Sequence, residues 1–215
     1  MSFFDYVSAN APRISHLFAQ HVQVVLISVG LATVVSILFA VATEHLPRTR
    51  SLTLSVTGTI LTIPSFALFG LMIPVFGLGV TPTVLALTIY AVFPILRNAV
   101  TGLDSVDASV VDAARGMGMG AGQQLWRIRL PLAWPVILNG IRVATIMVVA
   151  IAAIGAAVRG PGLGELIFRG LSRIGGANAL NEALAGVAAI VVVAAVLDVL
   201  FLVLGRVTTP KGLHA

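Results

Sequence analysis

Long apolar stretches alternate with short polar ones along almost the whole chain. The five longest apolar stretches cover residues 22–42, 52–76, 83–100, 135–158 and 183–204. A helix needs about 20 predominantly apolar residues to cross a bilayer. These stretches are much longer than barrel strands and lack strict alternation, and helices are the alternative that satisfies every backbone group in lipid. The pattern therefore predicts an all-α polytopic membrane protein with about five transmembrane helices.

The residues before the first stretch mix aromatic and polar side chains, including Phe3, Phe4 and Tyr6. This mixture predicts an interfacial helix or an ordered arm. No internal repeat, low-complexity linker or second domain is visible in the sequence. We therefore expect residues 1–215 to form one transmembrane domain with its core at about 20–206.

Composition supports a membrane protein and argues against a nucleic-acid partner. The 215 residues are 58% hydrophobic and only 10% charged, whereas soluble domains average about 25% charged residues. The net charge is +5, but the arginines are scattered between apolar stretches and form no basic face. The chain has no cysteine, which excludes a thiol nucleophile or a thiolate metal site.

Basic residues predict the orientation of the chain in a bacterial cytoplasmic (inner) membrane. Eight lie in one set of connecting segments and four in the other. The larger set is Arg48, Arg50, Arg97, Arg115, Arg127, Arg129, Arg206 and Lys211, and the smaller is Arg13, Arg159, Arg169 and Arg173. Because cytoplasmic segments carry the excess of Lys and Arg, the N-terminus is predicted outside and the C-terminus in the cytoplasm.

The polar segment between the third and fourth stretches, about residues 104–131, is then cytoplasmic. Its core, residues 112–131, reads DAARGMGMGAGQQLWRIRLP. Glycine favours a turn at Gly118, and proline disfavours continuation of a helix at Pro131. We expect a short helix, a glycine turn and a second short helix that ends at the proline. Ile128 and Leu130 are expected to pack back on the membrane helices.

This segment resembles the cytoplasmic loop of the membrane subunits of ABC importers. That loop reads Glu-Ala-Ala, three residues, Gly, nine residues, Ile, one residue and Leu-Pro. The matching positions here are Asp112, Ala113, Ala114, Gly118, Ile128, Leu130 and Pro131. Aspartate stands where the family has glutamate. The resemblance implies a coupling helix that docks in a groove of a separate ATPase subunit, with the two alanines allowing close approach.

Other segments are similar to the osmoprotectant branch of these permeases. They cover residues 62–68, 90–103, 114–119, 130–142, 161–170 and 209–212. The resemblance implies transport of glycine betaine, choline, carnitine or a related quaternary amine. It also implies a second permease subunit, two ATPase subunits and an external solute-binding protein. A related permease for methionine or another small solute is the alternative, since it shares the fold and the loop.

Three other classes of function are disfavoured by the residues themselves. The only lysine, Lys211, follows no glycine-rich turn, so the chain lacks a phosphate-binding loop and is not expected to be an enzyme. ATP and magnesium are expected on the partner ATPase, and no cofactor or metal spacing occurs here. A secondary transporter would show an inverted repeat. An intramembrane enzyme would need convergent polar groups.

Prolines inside the apolar stretches mark candidate hinge or pathway positions. Pro64, with Ser65 and Phe66, and Pro94 are the candidates. A proline inside a helix removes a hydrogen bond and bends it, which serves either a moving gate or the packing of a tight bundle. Both interpretations stay open.

Arg142 and Asp198 are charged residues inside the fourth and fifth stretches. Each lies roughly 10–12 Å from the cytoplasmic end of its stretch at 1.5 Å per residue. The matching depth suggests an ion pair between the two helices. The alternative is that Arg142 extends to the interface while Asp198 bonds to a backbone or hydroxyl group.

Overall fold

The computed structural model describes residues 1–209, and this part of the chain is helical with short connections. The predictions for Lys211 and for positions 210–212 of the C-terminal tail concern residues outside this range. The helices are α1 Phe3–Ala9, α2 Ala11–Ala42, α3 Pro47–Leu61, α4 Ser65–Phe76, α5 Val80–Asp104, α6 Ala108–Gly116, α7 Ala121–Gln124, α8 Leu130–Ile154, α9 Gly164–Ser172 and α10 Ala179–Thr208. A π-helical turn, Leu125–Arg129, joins α7 to α8, and a 3₁₀ turn, Gly155–Val158, follows α8.

Four long apolar helices are able to cross a membrane: α2, α5, α8 with its flanking turns, and α10. Each begins before the stretch predicted from hydropathy. Helix α2 begins as early as Ala11, with Pro12 in its first turn, where a proline is tolerated. The first 20 residues are therefore the short helix α1 and the first turns of α2.

The second predicted span is broken. The chain between α3 and α4 turns by 98°, so α3 and α4 make one bent span or a re-entrant loop. Pro64 directly precedes α4 and lacks the N–H that would continue α3, and it disfavours helical backbone at Ile63. The break falls at Pro64, a candidate hinge position in the sequence, and it is a sharp bend between two helices and not a kink within one. Pro74 and Pro94, by contrast, remain inside α4 and α5.

Helix α5 lies at the centre of the bundle and packs between α2 and α8. Close approach to α8 depends on small residues: a Cβ added to Gly140 would lie 2.5 Å from the Cβ of Asn98. Hydroxyl groups join α5 to α2, since Ser28 and Ser36 donate to the carbonyls of Val84 and Val92 at 3.3 and 3.1 Å. These contacts satisfy polar groups inside an otherwise apolar core.

Helix α10 packs at the edge of the bundle and leaves a broad apolar face uncovered. Its exposed side chains are Leu184, Val187, Val191, Val192, Val196, Val199, Leu200 and Val203. Lipid is as apolar as these side chains, so this face is suited to the hydrocarbon of a bilayer.

Candidate functional site

The coupling loop, residues 104–131, begins with a capped helix. Ser109 donates its backbone N–H to Oδ1 of Asp107 at 2.8 Å, which caps α6 and holds the pKa of the Asp107 carboxyl below its ordinary value. Helix α6 ends in a turn in which Gly118 adopts a φ of +82°. Met119 N–H closes this turn on the carbonyl of Ala114 at 3.1 Å. The predicted short helix followed by a glycine turn is confirmed.

The two alanines of the loop have opposite surroundings. Ala114 is 1% exposed, while Ala113 is exposed. Asp112 is also exposed and accepts a hydrogen bond from Nη1 of Arg115 at 3.2 Å. Only Ala113 of the alanine pair is therefore available to another protein, and Ala114 holds α6 on its own chain.

The second half of the loop differs from the prediction. Residues 121–158 form one continuous helical segment, so Pro131 does not end a helix before the fourth span. The π-helical turn explains this result. Leu130 donates its N–H to the carbonyl of Leu125, five residues back, and this wider turn leaves room for the ring of Pro131. Leu130 packs on the core, whereas Ile128 is half-buried and Pro131 is exposed.

A cavity of about 640 Å³ lies between the coupling loop and the ends of α2 and α5. Its charged lining residues are Glu44, Asp104, Asp112, Arg115 and Arg129. Arg129 is paired with Glu44, and Arg50 is paired with Asp104. These pairs tie the end of the loop to α2 and the start of α3 to the end of α5.

Arg142 and Asp198 lie face to face on α8 and α10. Nε of Arg142 lies 2.6 Å from Oδ1 of Asp198, and Nη2 lies 2.9 Å from Oδ2. Their side chains are about one-third exposed. Arg142 also lines a small cleft of about 270 Å³ with Asn139 and Phe201. The structure thus brings together the two residues that the sequence suggested as a pair.

The candidate hinge residues divide between two places. Pro64, Ser65 and Phe66 lie at the break between α3 and α4, where Phe66 is 64% exposed. Pro94 lies inside α5, one turn after Tyr90. The hydroxyl of Tyr90 donates to the carbonyl of Ile63 at 2.6 Å, so α5 satisfies one of the backbone groups that the break leaves open.

Sequence reasoning missed a cluster of charges at the opposite end of the bundle from the coupling loop. Arg13 on α2 lies 2.8 Å from Glu165 on α9 and 3.1 Å from Glu182 on α10. Arg169 on α9 lies 3.4 Å from Glu182, whose side chain is 8% exposed. The signal available in the sequence was that Arg13, Arg169, Glu165 and Glu182 all fall in segments predicted on the same side of the membrane.

Arg97, counted with a cytoplasmic segment in the sequence, lies inside α5, seven residues before Asp104. Its guanidinium carbon lies 6.0 Å from the ring centre of Phe93.

Across residues 1–209, no group of three or more His, Cys, Asp or Glu side chains is arranged to hold a metal.

The sequence matches a known family over most of its length. The family described as binding-protein-dependent transport system inner membrane component covers residues 32–211. The chain belongs to this family. The predicted class, a membrane-embedded permease component of ABC importers, is therefore confirmed, and a secondary transporter is not supported.

Two relatives in the family extend the likeness over the whole chain. The osmoprotectant import permease protein OsmW of Salmonella typhimurium (strain LT2) is 38% identical, with 100% of both chains covered. The glycine betaine/carnitine/choline transport system permease protein OpuCB of Bacillus subtilis (strain 168) is 30% identical, covering 97% of this chain and 94% of its own.

The fold is shared with a solved member of the ABC importer class. The inward-facing MetNI methionine ABC transporter superposes with a TM-score of 0.78 at 22% identity, covering 92% of this chain and 96% of that chain. This likeness confirms the type I importer permease fold, with four spans and the bent pair α3 and α4. At this level of identity it carries no information on the solute.

Proposed function

We propose that this chain forms one half of the translocation path for a quaternary-amine osmoprotectant, such as glycine betaine, choline or carnitine. The observation that carries the proposal is the similarity over the full length of both chains to an osmoprotectant import permease. Methionine or another small amino-acid-like solute is the weaker alternative, because the methionine transporter is similar in fold alone.

Energy for transport is proposed to come from a separate ATPase that binds ATP and magnesium. The coupling loop offers the contact surface, since α6 presents Asp112 and Ala113 outward while Ala114 anchors it from beneath. The proposed assembly contains a second permease subunit, identical or homologous, two ATPase subunits and an external solute-binding protein. Four or five spans are too few to enclose a path alone.

The proposed orientation places the coupling loop in the cytoplasm and α1 outside. The charge asymmetry supports it, and the natural absence of cysteine makes it easy to test. Single cysteines at Ser2 and Ser109, both exposed, are labelled with a membrane-impermeant maleimide in intact cells. Labelling at Ser2 alone is expected, and labelling at Ser109 alone would reverse the orientation.

Transport itself is tested with the complete complex in liposomes that contain ATP. Uptake of radiolabelled glycine betaine, choline, carnitine and methionine is measured in the presence of the solute-binding protein. We expect uptake of at least one quaternary amine, its loss with vanadate, and no uptake of methionine. Vanadate-insensitive uptake driven by an ion gradient would contradict the ATP-driven mechanism. Uptake of methionine alone would contradict the solute class.

A further inference from the structure

Three charged side chains lie at about the same level within the helical bundle. Asn98 of α5 packs on Gly140 of α8. Arg97 is next to Asn98 in sequence and Arg142 is two residues from Gly140, so the two arginines lie at about the same level along the bundle. Arg142 is paired with Asp198. Arg97 has no ion-pair partner among residues 1–209, although it lies about 10 Å along α5 from Asp104.

The surroundings of Arg97 hold its guanidinium in place. The ring of Phe93 lies below it at 6.0 Å, a distance at which a cation is attracted to an aromatic face. Phe93 in turn packs on Gly58 of α3, where an added Cβ would lie 3.0 Å from the ring. The guanidinium of Arg97 thus contacts an aromatic ring on one side, and the rest of the Arg97 side chain is exposed.

The neighbouring helix α3 exposes hydroxyl groups along one side, beside the exposed apolar residues Leu52 and Val56. Ser51, Ser55, Thr59 and Thr62 are all exposed and follow one another at helical spacing. No residue of α3 is buried. This hydroxyl-bearing face contrasts with the valines and leucines that α10 exposes. A surface of hydroxyl groups beside an exposed arginine is suited to water and a polar solute rather than to lipid tails.

The same face of α5 meets α3 on both sides of Arg97. Arg50 donates to the carbonyl of Val100 at 3.2 Å, one turn after Arg97, and Gly58 meets Phe93 one turn before it. Arg97 therefore lies beside the middle of α3, the helix that carries these hydroxyl groups, and between the charged end of the bundle and the break at Pro64.

We propose that Arg97 binds the carboxylate of a zwitterionic solute as it passes along the hydroxyl-bearing face of α3. This inference rests on the proposed function and narrows it. A guanidinium presents a planar array of donors that matches a carboxylate. Glycine betaine and carnitine carry a carboxylate beside their quaternary ammonium group, whereas choline carries a hydroxyl. Arg97 therefore favours the carboxylated osmoprotectants over choline and repels a solute that is only cationic.

The test uses the complete transporter in liposomes, with the wild-type chain and the variants Arg97→Gln and Arg97→Lys. Arg48→Gln is the matched control. Arg48 is also an exposed arginine, but it lies in the first turn of α3, whereas Arg97 lies beside the middle of that helix. Uptake of glycine betaine and of choline is measured at subsaturating concentrations. ATP hydrolysis stimulated by the loaded binding protein and recovery of the intact complex are measured in parallel.

We expect Arg97→Gln to lower glycine betaine uptake about tenfold or more, as for a lost hydrogen bond to a charged group. Choline uptake should rise rather than fall, because the charge that repels a quaternary ammonium group is removed. Complex recovery and stimulated ATP hydrolysis should be little changed. Arg97→Lys should retain part of the glycine betaine uptake, and Arg48→Gln should retain all of it.

Three results would overturn the assignment. Unchanged glycine betaine uptake in Arg97→Gln would show that the side chain extends to lipid headgroups. Loss of the complex would show that Arg97 pairs with another subunit, and equal losses for both solutes would show a structural role. Absence of uptake by the wild-type complex would instead overturn the proposed function, and this assignment with it.

Discussion

Arg142 and Asp198 join α8 to α10 through two hydrogen bonds, with a guanidinium facing a carboxylate along its planar edge. Helix α10 leaves most of its apolar face uncovered, so few side chains fix its position along α8. In a bilayer, apolar contacts between helices gain little over contacts with lipid. A pair with directional geometry is therefore well suited to set the register of α10.

Neutralising either member of this pair should weaken the fold. We expect Arg142→Gln and Asp198→Asn each to lower the recovery of monodisperse protein from membranes and its thermal midpoint in detergent, because each leaves one charge without its partner. The double exchange Arg142→Asp with Asp198→Arg should recover part of the loss. No recovery in the double variant would show that the pair does not set the register.

Gly140 lets α8 approach α5 closely. Gly140→Ala places a Cβ 2.5 Å from the Cβ of Asn98, so the helices must separate. We expect a loss of about 1–3 kcal/mol, as for other overpacked cores. Gly30→Ala on α2 is the matched control, since nothing lies within 4 Å of its added Cβ. Unfolding in detergent by a denaturant compares the two. Equal stability would contradict the close contact.

The charge cluster at the end of the bundle opposite the coupling loop should anchor α9. Glu182→Gln removes the negative charge that Arg13 and Arg169 share, and a loss of about 1–3 kcal/mol is expected because the hydrogen bond from Arg13 no longer reaches a charged group. Hydrogen exchange should rise in α9 and at the start of α10. Glu165→Gln, at an exposed carboxylate, should cost at most about 1 kcal/mol. A larger loss of stability with Glu165→Gln than with Glu182→Gln would contradict the role of Glu182 as the main anchor of α9.

The two alanines of the coupling loop should respond differently to the same substitution. Ala113→Asp adds a charge on the exposed face of α6, so we expect normal folding but loss of ATP-driven uptake and of stimulated ATP hydrolysis. Ala114→Asp places a carboxylate at a position that is 1% exposed and should lower protein recovery itself. Normal uptake with Ala113→Asp would exclude α6 as the ATPase contact.

The first turn of α6, which Asp107 caps, should lose its protection against hydrogen exchange in acid. The pKa of Asp107 lies below its ordinary value of 3.8 because the backbone N–H of Ser109 bonds to the charged form. The cap therefore contributes fully above pH 3.8 and is lost as the pH falls through the lowered pKa. Hydrogen exchange of α6 should show this loss, and Asp107→Asn should abolish its pH dependence. Identical profiles in both proteins would exclude the cap.

Hydropathy and motif spacing determined the class of the protein. The sequence was enough to predict a polytopic importer permease with a coupling loop. The prediction used the five apolar stretches, the distribution of basic residues between the connecting segments and the spacing from Asp112 to Pro131. These features are local: a span follows from the cost of burying polar groups in lipid, and a glycine turn follows from the backbone freedom of Gly118.

Only the tertiary structure decided which prolines break a helix and which charges meet. Pro64 lies at the break between α3 and α4, where Tyr90 of α5 satisfies the carbonyl of Ile63. Pro94 instead stays inside a helix, and a π-helical turn accommodates Pro131, because what satisfies the backbone differs from site to site. Likewise, Arg142 found a partner and Arg97 did not among the described residues. The sequence sets how deep a charge lies, but the packing of helices sets what it faces.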